Sequence, residues 1–68
     1  MNISEKLPVQ LLNEVEVSKT IKRSVQTLRN ERFRGTGLPY CKIGRSVRYR
    51  LCDVEKFIEQ NMVSTRNG

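Results

Sequence analysis

The stretch GTGLPYCKIGRSVRYRL, residues 35–51, decides how this chain is read. Gly35-Thr36-Gly37-Leu38-Pro39 is rich in glycine and carries a proline, a composition that breaks regular structure and marks a loop. Behind it come Tyr40-Cys41-Lys42-Ile43 and Val47-Arg48-Tyr49-Arg50-Leu51, separated by Gly44-Arg45-Ser46. This spacing predicts two short strands joined by a tight, glycine-containing turn. Val47, Tyr49 and Leu51 alternate with Arg48 and Arg50, the period that gives a strand one apolar and one charged face. In the first run Cys41 and Ile43 are expected on the apolar face and Lys42 outside.

Upstream of the hairpin the periodicity changes. Asn13 is a strong N-cap residue, and Glu16 three positions on completes a capping-box pattern. Val17 and Ile21 stand four apart, with Leu11 or Leu12 leading in, so a short helix over about Glu14 to Ile21 is expected. Lys22 and Arg23 make a tight connection to a second N-cap, Ser24. The helix after it is expected from Val25 to about Arg34, ending at Gly35. Leu28 is its clearest buried position, with Phe33 or the aliphatic stem of Arg32 closing the lower end. Downstream, Val54, Phe57 and Ile58 form the apolar stripe of a last helix from about Asp53 to Met62, with Asp53 and Glu55 in its first turn.

Helix, tight turn, helix, hairpin, helix is the outline of an α+β fold, a small winged helix-turn-helix. Residues 11–62 are expected to form the domain, residues 1–10 a flexible arm in which Pro8 blocks a helix, and residues 63–68 a disordered tail.

Composition narrows the function classes. The chain has 68 residues, 13 Lys and Arg against 7 Asp and Glu, a net charge of +6 and no histidine. One small core is all that such a length supports, and a deep catalytic cavity would consume it. Lack of histidine removes the commonest general base and metal ligand. No Ser, Cys or carboxylate constellation fits a catalytic site, so neither an enzyme, a metal site, a cofactor nor a small-molecule substrate is expected. Cys41 and Cys52 form no CxxC pair; they are expected as buried, reduced, inert thiols in a cytoplasm. No run of apolar residues is long enough to span a bilayer, and no signal segment opens the chain. The positive charge therefore favours nucleic acid as the polyanionic partner.

The second helix carries side chains suited to base edges. Arginine pairs bidentately with guanine, and asparagine or glutamine with adenine. Gln26, Thr27, Arg29 and Asn30 lie toward the helix start, which in a helix-turn-helix enters the major groove. Ser24 and the free N–H groups of its turn suit a phosphate. Arg23 and Arg32 are better placed for the backbone, as are Lys42, Arg48 and Arg50 on the hairpin, while Arg45 at the turn is the residue to enter a minor groove. A solvated helix face and edge-strand protection are the ordinary explanations for such charges. The thin apolar stripe of the second helix, and four like charges on one hairpin, are poorly explained by either.

Leu12, Glu16-Val17, Ser24, Thr27-Leu28, Gly35-Thr36-Gly37-Leu38-Pro39, Lys42-Ile43-Gly44-Arg45, Val47-Arg48-Tyr49 and Asp53-Val54-Glu55 together resemble the excisionase-like, AlpA-type small DNA-binding proteins of the MerR-like winged helix-turn-helix group. The resemblance spans about Leu11 to Ile58 and is most specific from Gly35 to Tyr49. It implies a protein of a prophage or other mobile element, acting as a recombination directionality factor beside an integrase or as a transcriptional regulator. It also implies Ser24 to Asn30 on the recognition helix and Gly44-Arg45 at the wing tip. Copies bound on adjacent sites would supply the specificity that one short helix lacks. Three positions depart from the family. Glu31 stands where relatives carry a core aromatic, so Phe33 is expected to fill that space. Lys22 replaces a glycine. Cys52 stands where a serine caps the last helix, so Cys52→Ser is expected to stabilise. A second class of function remains open: a basic adaptor that docks an integrase or a polymerase subunit.

Overall fold

The computed structural model describes residues 9–64. Most of the arm expected over residues 1–10, and the end of the tail expected over residues 63–68, lie outside the described residues.

Helix α1 (Glu14–Ile21) starts as the spacing predicts. The Asn13 side chain accepts from the Glu16 N–H, and the Asn13 N–H donates to Glu16 Oε1, each at 2.8 Å. These reciprocal bonds satisfy two backbone N–H donors that a helix end otherwise leaves to water. The chain leaves α1 through Lys22 in the left-handed conformation, φ 60°, a region that favours glycine. Helix α2 (Val25–Arg34) is capped by Ser24, whose hydroxyl accepts from the Thr27 N–H at 3.0 Å, and it ends at Gly35 with φ 74°.

Strands β2 (Cys41–Ile43) and β3 (Ser46–Arg50) form the hairpin, and a strand β1 (Leu11–Leu12) adds to the far edge of β3. The result is a three-stranded antiparallel sheet of order β1-β3-β2, one strand more than the alternation predicts. A two-residue segment shows no period, so β1 leaves no trace in the sequence; its partner, Leu11 opposite Arg50 and Leu12 opposite Tyr49, makes it a strand.

The hairpin corrects the expected inner face. Ser46 belongs to β3, so the connection is Gly44-Arg45 alone and Ile43 pairs with Ser46. Directly opposed residues share a face, and moving the register by one residue exchanges the faces. Lys42 therefore stands opposite Val47, while Cys41 stands opposite Arg48. Ile43 is 55% exposed rather than buried. Leu51, expected at the end of the strand, instead opens helix α3 (Leu51–Gln60). That helix starts two residues earlier than predicted; Val54 is buried in the core and Phe57, three positions on, packs against it. Cys52 is consequently inside α3, and the residue at its N-cap is Arg50, whose side chain makes no capping bond. The capping rationale for Cys52→Ser does not hold. Neither cysteine is buried: Cys41 is half-buried, Cys52 is exposed, and both are free thiols.

Val17, Leu28, Leu38, Tyr49 and Val54 form the core, with Leu12, Ile21, Val47 and Phe57 packed around it. Each buried side chain of this size stabilises by roughly 1.5–3 kcal/mol relative to exposure. Leu38 comes from the irregular loop, where no periodicity marks a core residue. Phe33 does not fill the place left by the missing aromatic; it is 91% exposed. The buried groups from this part of the chain are Leu38 and the stem of Arg32, whose side chain is 17% exposed. Among the described residues no helix is long and apolar enough to cross a membrane.

Candidate nucleic-acid interface

The two elements expected to carry the site border a common groove. Asn13, Glu14 and Val15 from the start of α1, Arg29 and Arg32 from α2, and Arg45 to Arg48 from the hairpin line it. The short Lys22–Ser24 connection folds α2 back against α1, and β3 packs on α1, so the hairpin tip comes beside the α2 arginines. Four arginines thus line a groove that holds one carboxylate, that of Glu14, and Arg29 and Arg32 bond to it.

Glu14 is the residue that sequence reasoning missed. It accepts from Arg29 Nη2 at 2.7 Å and Arg29 Nε at 3.2 Å, and from Arg32 Nη2 at 3.2 Å. The Arg29 guanidinium holds the Glu14 carboxyl below the usual carboxylate range; partial burial opposes this shift and Arg32 adds to it. Nothing local marks the pair, because its members are 15 residues apart.

The expected contact residues separate into distinct groups. Gln26, Arg29 and Asn30 are exposed on α2, and Gln26 donates from Nε2 to Asn30 Oδ1 at 3.0 Å. Thr27 is half-buried, and its hydroxyl meets the Ser24 hydroxyl at 2.8 Å, so both side chains serve the helix start. Arg32, expected to face phosphates, turns inward. It donates from Nη1 to the Tyr49 hydroxyl at 2.7 Å and lies 5.7 Å from the centre of the Tyr40 ring. Its guanidinium supplies the polar partner that the buried phenol of Tyr49 requires.

Two further arginines expected on the backbone are engaged by carboxylates. Arg23 pairs with Glu31 at 2.9 Å, and Arg50 grips Asp53 through two bonds of 2.8 and 3.1 Å. Asp53 sits in the helix that follows the hairpin, so the hairpin reads as uniformly basic in sequence while Arg50 is paired in space. Lys42, Arg45 and Arg48 form no ion pair among the described residues; Arg48 Nη1 donates to the Val47 carbonyl at 2.8 Å. Lys42 is on the opposite face of the hairpin from Arg48. The strongest cationic surface of the hairpin is accordingly Arg45 and Arg48, beside the groove.

No protein-family model and no curated protein matches the chain. Among the described residues no group of three or more metal-ligating side chains comes together.

Proposed function

We propose that the protein is a sequence-specific binder of double-stranded DNA, with the winged helix-turn-helix architecture that its element order and sequence resemblance support. In this reading α2 enters the major groove, with Gln26, Arg29 and Asn30 toward the bases, and the β2–β3 hairpin is the wing. Arg45 and Arg48 contact the backbone and the adjacent minor groove. The protein would act without catalysis of its own, in the cytoplasm, as an excision factor beside an integrase or as a transcriptional regulator of a mobile element.

The observation that carries the proposal is the common groove. Arg29 and Arg32 of α2 and the unpaired Arg45 and Arg48 of the hairpin line it. Gln26 and Asn30 are exposed on α2 outside that lining, and base-reading and phosphate-gripping groups on one protein suit a duplex. The Glu14 carboxylate restrains Arg29 until a phosphate or a guanine edge replaces it. A duplex of high negative charge density competes well for that guanidinium, and the internal ion pair lowers both affinity and salt slope relative to a free arginine.

Duplex binding followed by fluorescence anisotropy tests the proposal. Asn30→Ala should lower affinity for a selected duplex and leave random DNA nearly unaffected. Arg48→Ala should weaken both and reduce the salt slope by about one. Equal losses on specific and random DNA for both variants would refute a reading helix. A chain with only weak binding to any duplex, but tight binding to an acidic protein, would be an adaptor.

A further inference from the structure

Phe33 is the most exposed large hydrophobic side chain among the described residues, at 91%. It stands three positions after Asn30 and seven after Gln26, so all three lie on one face of α2. Helical side chains lean toward the helix N-terminus, which carries the Phe33 ring back over the turn that holds Asn30. An aromatic ring in water gains nothing for the folded chain by itself. Its surroundings are polar and cationic: Arg29 and Arg34 flank it, and α2 has no other exposed large hydrophobic residue. A protein interface of ordinary size needs a broad apolar centre, which one ring does not provide.

We infer that Phe33 is a specificity-determining residue, whose ring packs on the 5-methyl group of a thymine in the major groove. The methyl group is the apolar feature that duplex DNA displays there, and phenylalanine is among the side chains that contact it. The neighbouring amides support the same base pair class, since asparagine and glutamine match the adenine edge. Gln26, Asn30 and Phe33 then form one surface that favours A·T pairs. This inference rests on the DNA-binding reading above and specifies what that site selects.

The test uses the full chain to select a preferred duplex from a randomised pool. That duplex is then remade with deoxyuridine in place of thymidine, one position at a time, which removes the methyl group and nothing else. For the wild-type protein, replacement at one position should weaken binding about fourfold, the effect of one methyl returned to water. Phe33→Ala should bind the thymidine duplex more weakly and show no further loss with deoxyuridine. Because the ring is exposed, the variant should keep the wild-type circular dichroism and unfolding midpoint. Indifference of the wild type to every replacement overturns the inference, as does a thymine preference that persists in Phe33→Ala. Dissociation of a DNA-free dimer by Phe33→Ala also overturns it, in favour of a second copy on the ring. If the pool yields no preferred duplex, the DNA-reading function fails as well, an outcome distinct from selective binding that ignores the methyl group.

Discussion

The carboxylate of Glu14 bridges Arg29 and Arg32, with its shortest bond the 2.7 Å contact from Arg29 Nη2. It ties the first turn of α1 to the exposed face of α2, and through Arg32 to the buried Tyr49 hydroxyl. One acidic residue therefore links the packing of the two helices to a cation on the exposed face of α2.

Acid should weaken the fold through this carboxylate. Its folded pKa lies below its unfolded value, so its contribution is fully present above the ordinary glutamate pKa of about 4.3. That contribution is lost as pH falls through the depressed folded value. Urea midpoints measured from about pH 7 down to about pH 3 should fall less for Glu14→Gln than for the wild type. The same variant should bind duplex DNA more tightly, with a salt slope steeper by about one, because Arg29 is released. Unchanged acid sensitivity would show that the bridge does not couple to folding.

Lys22 adopts a conformation that disfavours any residue with a Cβ, at φ 60°. Glycine there removes a clash worth roughly 1–2 kcal/mol, offset by its greater unfolded freedom. Lys22→Gly should raise stability by about 0.5–1 kcal/mol in urea unfolding. A lower midpoint would mean that the lysine side chain makes a contribution larger than the strain.

Gly37 is the opposite case. It has φ 82°, and a Cβ there would stand 2.8 Å from Glu31 Oε1 and 2.9 Å from Glu31 Cβ. The oxygen end can swing away, but the Glu31 Cβ is fixed to the α2 backbone. Gly37→Ala should cost about 2 kcal/mol from combined strain and overlap. Gly35, with φ 74° but open space around it, provides the control; Gly35→Ala should cost about 1 kcal/mol. Equal losses at both positions would remove the steric part of the explanation.

The Tyr49 hydroxyl accepts from Arg32 in a nearly closed core site, with Tyr49 1% exposed. Tyr49→Phe keeps the ring but leaves the Arg32 donor without that partner. A loss of about 1.5–3 kcal/mol is expected for a hydrogen bond to a charged group. The cycle with Glu14→Gln should be non-additive, since both groups hold Arg32. Strict additivity would argue that Arg32 is anchored by only one of them.

Local chemistry made much of the fold legible. Asn13 with Glu16, Ser24 with Thr27, and Gly35 act within one helical turn of themselves, so the bounds of α1 and α2 can be read from neighbouring residues. Alternation from Val47 to Arg50 likewise shows a strand without reference to anything distant. Boundaries failed where two local signals overlapped. Leu51 fits both the strand alternation and the start of α3, and the backbone takes the helix. Ser46 fits both a turn and a strand, and backbone pairing with Ile43 chose the strand.

The sequence by itself determined the charge excess, the two capped helices and the presence of a basic hairpin, because each follows from composition or from interactions a few residues long. Only the tertiary structure decided which cations remain unpaired and which residues share a face. Arg29 meets Glu14, Arg23 meets Glu31, and Leu38 enters the core only after distant surfaces come together. Such partners are chosen by packing in three dimensions, and one residue of hairpin register decides whether Lys42 stands beside Arg48 or behind it.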